Sequence, residues 1–397
     1  MPGIDMIAPF EPVTHGPKHH FFGYYDKCPW DHSGRYLLAM ETDFVDRPNT
    51  ADDTATLCVI DTQDGNRITP IDTVRAWSWQ MGCQAQWLPN TEGGPKVLYN
   101  QYFKGDGHYS TVIHDLDSGA ARTIPRATYC VTPDGRHAWT LNWARLNDTR
   151  PGYGYRQMPD PHIDDPTPDD DGIYLIDLTT GESRLVISIR SIAEAAPYEC
   201  TTTGRHWLNH LFIDPTGTRG SFLHRWPKGA TGEARYTALY TANLDGSDVY
   251  LLNGPPMTSH CDWLSLRHLL AWATLDRTGK DAYYLWTDRS DKVQIVGEAH
   301  FDQDGHCNFS PDRHWILTDT YPSRDSQRTL ILYHMASDTR INVGRFYSPR
   351  DVWGELRCDL HPRWSRDGTK VCIDSAHEGG RQMFVVDVAE VIATHGG

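Results

Sequence analysis

The chain has 397 residues and a formal charge of −15, with 52 acidic against 37 basic side chains. That acidity argues against binding nucleic acid or an anionic membrane through bulk charge. No stretch approaches the ~20 apolar residues of a spanning helix, and nine scattered cysteines without a CxxC pair speak against a disulfide framework or a zinc ribbon.

Met1–Phe10 lacks the basic and apolar regions of a signal peptide, so a reduced, cytoplasmic protein is expected. Beyond it two short units alternate along the chain. The first is an apolar or aromatic anchor, a polar turn with Pro, Asp or Gly, and a hydrophobic run. It occurs at Trp30-Asp31-His32-Ser33-Gly34, Trp87-Leu88-Pro89, Val131-Thr132-Pro133-Asp134-Gly135 and Ile213-Asp214-Pro215-Thr216-Gly217. It returns at Trp263-Leu264-Ser265, Phe309-Ser310-Pro311-Asp312 and Trp364-Ser365-Arg366-Asp367-Gly368. The second unit follows each copy as an alternating strand ending in an acidic turn: Leu57–Gly65, Thr111–Gly119, Gly172–Gly181, Ala238–Gly246, Tyr283–Asp291, Leu330–Asp338 and Met383–Val388.

The anchors lie 57, 44, 82, 50, 46 and 55 residues apart. Blades of roughly 40–50 residues are propeller-sized, so the expected fold is all-β, a single seven-bladed β-propeller over 1–397; a β-sandwich is the competing reading. The 82-residue gap places a long loop insertion at about 143–171, rich in Pro, Gly, Asp and Tyr. Helices are expected only at Ser191–Ala196 and Ala389–Thr394.

Three residues before each anchor stand Lys27, Gln84, Thr128, His210, His260, His306 and His361. In a propeller this position rims the central channel. Histidine makes up 20 of 397 residues, so four in a row at one blade position is not background. Converging imidazoles ligate divalent ions or act as acid–base groups, and Gln303, three residues before His306, adds an oxygen ligand. Other polar residues gather nearby. Tyr129 follows one ring position, with Arg145 sixteen residues on, read as lying across a hairpin. His224 and Arg225 end a strand of the fourth blade, and Arg357 and Arg363 flank His361. Arginines suit a carboxylate, although a surface salt bridge is the ordinary reading of any one of them. His19 and His20 open the aromatic segment running to Lys27.

The Gly-His-Cys-Asn-Phe-Ser-Pro-Asp block at 305–312 resembles the blades of propeller polysaccharide lyases. So does Arg357-Cys358-Asp359-Leu360-His361-Pro362-Arg363-Trp364, with Asp374-Ser375-Ala376-His377 after it. Oligogalacturonate lyases hold a manganese-type ion with one His and a Gln-x-x-His-x-His loop. His260 and Gln303-x-x-His306 match, while Asn308 replaces the last His. Ulvan lyases use a Tyr and an Arg sixteen residues apart, as Tyr129 and Arg145 are, with a His where this chain has Gln84. His19–Lys27, Arg150-Pro151-Gly152-Tyr153-Gly154-Tyr155 and the C-terminal blocks at 357–364 and 374–377 most resemble the rhamnose–glucuronate lyases and rhamnosidases (polysaccharide lyase family 42, glycoside hydrolase family 145).

The resemblance implies β-elimination at C4 of a uronate, at the L-rhamnose-α-1,4-D-glucuronate linkage. Tyr129, Arg145, His210 and Arg225 are the catalytic candidates. His19, His20, Gln84, His224, Arg357 and Arg363 are candidates for substrate binding. His260, Gln303, His306 and His361 are candidate ligands for a divalent cation, Mn, Ca and Zn being indistinguishable. The expected partner is a uronate-containing oligosaccharide. Hydrolysis of the same linkage is a second reading, but it usually needs two carboxyl groups and the ring positions carry none; elimination on oligogalacturonate is an alternative beside it. A non-enzymatic scaffold is a third, disfavoured by His and Arg collected in one place.

Overall fold

A computed structural model of the chain describes residues 3–89, 94–198, 204–228, 234–349 and 352–396. Among these residues seven sheets form, and they are the blades of a seven-bladed β-propeller. The first strands of blades two to seven are Gln86–Trp87, Cys130–Val131, Trp207–Ile213, Thr258–Ser265, Asn308–Phe309 and Arg363–Trp364. Each contains its expected anchor. The second sequence unit becomes the third strand of each blade: Ala55–Asp61, Ser110–Asp115, Gly172–Asp177, Ala234–Asn243, Asp281–Thr287, Gln327–His334 and Gln382–Asp387.

The repeated turn is built by its own side chains. Asp31 Oδ1 accepts the backbone N–H groups of Arg35 and Tyr36 at 3.0 and 2.8 Å. Asp214 Oδ1 does the same for Thr218 and Arg219 at 2.8 and 2.9 Å. An aspartate in this position replaces the missing backbone partners of a tight turn. Gly34, Gly135, Gly217 and Gly368 follow at φ of 73°, 71°, 74° and 73°, where a Cβ is strained.

The first blade departs from the pattern. His19–Phe21 pairs with Met40–Thr42, whereas Trp30 bridges Leu37 further along the same strand. Residues 22–29 therefore leave the sheet between two points of attachment. The N-terminal segment also supplies strands elsewhere. Ile4–Asp5 adds in parallel to the sixth blade, and Phe10–Pro12 pairs antiparallel with Gln382–Asp387 of the seventh.

The chain divides into two compact units. One is Met1–Tyr102, Val112–Arg122 and Gly297–Gly397; the other is Phe103–Thr111 and Thr123–Val296. The first has two apolar cores, one around Phe21, Leu38, Trp77 and Trp79, the other around Trp315, Leu332, Ile373 and Phe384. In the second, Trp139 of the third blade lies against Gly220 of the fourth. A Cβ on Gly220 would meet the Trp139 ring at 2.3 Å, so only glycine permits that approach.

Three short helices occur among the described residues: α1 (Trp143–Thr149), α2 (Ile189–Ala195) and α3 (Ala389–His395). The last two lie near the expected positions. The first falls inside the segment read as an irregular loop, because Asn142 caps it by accepting from the N–H groups of Ala144 and Arg145. No helix among the described residues is long and apolar enough to cross a membrane. The described cysteines form no disulfide.

Candidate functional site

The ring position is a place of backbone distortion. Gln84, His210 and His361 have φ of 57°, 50° and 41°, the left-handed region that side chains rarely adopt. The pairing register of the fourth blade shifts between Asn209 and Phe212, and that of the fifth between Thr258 and Cys261. Such bulges re-aim a side chain at the start of a strand. All four histidines are buried.

In the first unit His306 and His361 meet edge to face, ring centroids 4.5 Å apart. His361 Nδ1–H donates to the carbonyl of Gly23 at 2.7 Å. This fixes the tautomer and leaves Nε2 as an acceptor with no hydrogen-bond partner among the described residues. His306 Nδ1–H donates to Asp319 at 2.9 Å. The Nε2 atoms of His306 and His361 lie 3.9 and 3.7 Å from Asp359 Oδ2. Burial disfavours a charge on Asp359, but Arg357 and Arg328 hold its carboxyl well below the ordinary range. Their contacts are 2.7 Å (Arg357 Nε) and 2.6 Å (Arg328 Nη2). The two imidazoles are driven apart in protonation. Burial pushes both down, and in His306 Asp319 reverses this to a net rise, whereas His361 stays well below its usual value.

His306, Asp359 and His361 place one ligand atom each within 4.8 Å of one another. Two imidazoles and a carboxylate suit a borderline divalent ion. The Nδ1–H groups directed at Asp319 and Gly23 are the outer-shell contacts that orient ligating histidines. The residues present therefore fit a cation. The ligand set differs from the one read from sequence: Asp359 takes part, Gln303 is exposed, and His260 stands beside His210.

In the second unit the His210 and His260 rings are 6.2 Å apart, and Tyr153 meets His210 edge to face at 5.9 Å. Arg150 Nη2 donates to the Tyr153 hydroxyl at 3.1 Å. Burial lowers His210 well below the ordinary histidine value, reinforced by the charges of Arg225 and Arg150 and by His260. The neutral imidazole is thereby favoured.

The remaining sequence candidates fall as follows. Arg145 is on α1, not across a hairpin from Tyr129. Its guanidinium is committed to the His206 carbonyl (2.7 Å), Asp160 (3.0 Å) and the carbonyls of His162, Asp165 and Pro166 (3.1, 2.9 and 2.9 Å). It pins the insertion. Tyr129 is buried and stacked on Trp143 at 5.4 Å. His224 shares a 2.9 Å hydrogen bond with His206 in a stack against Trp226. His20 is buried between Gln382 and Glu41, at 3.0 and 3.2 Å, and His19 is half-buried. Gln84 is buried, its amide 3.5 Å from the Met81 carbonyl. Arg363 makes a two-pronged pair with Asp374 at 3.1 and 2.8 Å and donates to Gly23.

Sequence reasoning missed Asp359, Asp319, Tyr24, Tyr25, Arg150 and Tyr153 as site residues. Tyr24 packs on His361 at 4.8 Å and Tyr25 on His306 at 5.4 Å, both carried by the excursion at 22–29. The Asp-x-His spacing at 359–361 was the readable signal.

No family model matches the chain, and no curated protein matches it in sequence. Solved structures do. Oligogalacturonate lyase from Vibrio parahaemolyticus superposes with a TM-score of 0.67 at 14% identity, over 98% of this chain and 100% of that one. An oligogalacturonate lyase in complex with manganese gives 0.68 at 14%, covering 99% of each. Puromycin hydrolase gives 0.55 at 14%, over 98% of this chain but 55% of its own. At such identities the likeness establishes the fold: this chain is a seven-bladed propeller structurally close to oligogalacturonate lyase along its whole length.

Proposed function

We propose that the chain is a lyase that cleaves a glycosidic bond at C4 of a uronate by β-elimination, at the L-rhamnose-α-1,4-D-glucuronate linkage. One observation carries this: His210 is buried, with Tyr153 meeting its ring edge to face at 5.9 Å, and burial together with the charges of Arg225 and Arg150 holds its pKa well below the ordinary value. Elimination needs those parts. A cation at the carboxylate makes the C5 proton acidic, a role assigned to Arg225, whose charge acts on His210. The His210 imidazole takes the C5 proton. The electron pair left on C5 forms the C4–C5 double bond as the C4–O bond breaks. The leaving oxygen takes a proton from a tyrosine, Tyr153 beside His210 or Tyr129. A divalent cation held by His306, Asp359 and His361 would supply Lewis-acid chemistry within the first unit.

Support for the finer linkage is that two of the segments resembling rhamnose–glucuronate enzymes, His19–Lys27 and 150–155, deliver residues to the histidine pairs. The first brings Tyr24 and Tyr25 to His361 and His306, the second Arg150 and Tyr153 to His210. Hydrolysis finds less support, since Asp359 and Asp319 are bound to Arg328, Arg357 and His306. The structural neighbours favour a second reading, the same elimination on oligogalacturonate.

The test is incubation with a rhamnose–glucuronate disaccharide, following the ultraviolet band of the conjugated alkene with free rhamnose assayed in parallel. Both signals together are expected. Rhamnose without the alkene means hydrolysis, and alkene only from oligogalacturonate selects the second reading.

A further inference from the structure

A cavity of about 300 Å³ opens in the second unit at the end of the third blade where Thr128 and Tyr129 lie. Its volume is at the lower bound for a small-molecule site. Tyr109, Arg126, Asn142, Trp143, Asp171 and Tyr174 line it. Trp143 is shared: its ring stacks on Tyr129 at 5.4 Å and on Tyr155 at 4.5 Å. The cavity is thus one indole removed from a tyrosine of the proposed chemistry.

The polar groups of this wall differ in what is left to them. Asp171 accepts from the Gly172 N–H at 2.8 Å and from Asn142 Nδ2 at 2.9 Å. The Tyr109 hydroxyl accepts the Met158 N–H at 3.0 Å. Arg126 lies 3.9 Å over the Tyr174 ring and donates Nε–H to Ser183 Oγ at 2.9 Å. No carboxylate pairs with it among the described residues. A half-buried guanidinium anchored at Nε and by its face presents its outer edge, the geometry that takes a carboxylate in a fork. Aromatic walls beside it suit the apolar face of a sugar ring.

We propose that this cavity is a second uronate subsite, binding the carboxylate of a further acidic sugar on Arg126 with its ring among Tyr109, Trp143 and Tyr174. The proposal rests on the uronate-lyase reading and extends it: the substrate carries more than one acidic residue, or an acidic branch, rather than a single uronate end.

Met158 also lines the cavity and gives a local reporter. In protein with methyl-labelled methionine, the Met158 resonance (assigned with Met158→Leu) is followed while D-glucuronate or D-glucose is added. These sugars differ only in the carboxylate. Glucuronate is expected to shift the resonance saturably, with at least ~tenfold higher affinity than glucose, the ratio one charged hydrogen-bonded pair supplies. Arg126→Gln removes the preference, and Arg126→Lys, which keeps charge without the fork, retains part of it. A Met158 resonance that ignores glucuronate, or that responds alike to both sugars, overturns the subsite. A preference that survives Arg126→Gln overturns the role of Arg126. If Met158 responds as expected while no substrate yields the conjugated alkene, the subsite stands and the lyase reading alone has failed.

Discussion

Asp374→Ala tests the support beneath the candidate cation centre. Asp374 and Arg363 are 3% and 1% exposed in their side chains and pair at 2.8 Å. The carboxylate also accepts the Phe22 N–H at 3.2 Å. Arg363 in turn donates to the Gly23 carbonyl at 2.7 Å, the same oxygen that receives His361 Nδ1–H. Removing the carboxylate leaves a buried guanidinium with the carbonyls of Gly23 and Tyr24 (3.2 Å) as its oxygen partners, at a cost of about 3–5 kcal/mol. Unfolding entropy of roughly 2.1 cal/mol/K per residue, over 397 residues, comes to roughly 0.8 kcal/mol/K. A 4 kcal/mol loss then lowers Tm by roughly 5 °C, read by calorimetry. Replacing both partners, Arg363→Met with Asp374→Leu, should recover most of the loss, because no uncompensated charge remains. Tm for Asp374→Ala within about 1 °C of wild type, or a double variant no better than the single, would refute the clamp.

The low pKa of His210 keeps it unprotonated below the ordinary histidine value, so the acid limb of kcat/KM should lie below pH 6.5; a limb at or above that value contradicts the assignment. Stability follows the same sign. His210, His224 and His361 are all lowered, so unfolding takes up protons as pH falls below 6.5, each group costing up to about 1.4 kcal/mol per pH unit until its folded pKa is passed. His306 is raised, so its contribution is complete below 6.5 and is lost as pH rises through its folded value. Denaturant titrations at several pH values should therefore peak between these limits, and stability rising steadily toward acid would contradict them. His361→Ala should weaken Mn²⁺ binding at least ~tenfold by calorimetry, and Asp319→Asn by ~10–100-fold; unchanged affinity in both removes the cation centre. Arg145→Met strips Asp160 and four carbonyls of their donor. Limited proteolysis should then cut within residues 158–170, and an unchanged digest would refute the pinning role.

Much of the fold was legible because its turns are local devices. The side chains that cap these turns, Asp31 and Asp214 among them, and the glycines at positive φ in four of the copies are neighbours in sequence, so the copies align with one another. The ring position followed from that alignment, and the structure brings its four histidines together as two pairs, His210 with His260 and His306 with His361. Pairing was less legible. Which imidazole meets which depends on blade geometry, and Asp359 was hidden because its role comes from Arg328, distant in sequence, as much as from its neighbour His361. Arg145 misled because a sixteen-residue spacing says nothing about helix or hairpin. The Asn142 cap that decides the matter is a single residue in a segment rich in Pro and Gly. Tyr24 and Tyr25 were seen as aromatics but not as site residues, since the excursion that carries them departs from the repeat.

The central claim is elimination with His210 as the base. The most direct measurement is the reaction of wild type and His210→Ala on the rhamnose–glucuronate disaccharide in heavy-oxygen water, with products weighed by mass spectrometry. The account predicts an unsaturated uronate lighter by one water than the hydrolysis product, free rhamnose without label, and loss of both with His210→Ala. Heavy oxygen at the cleaved position, or turnover unchanged in His210→Ala, would contradict it.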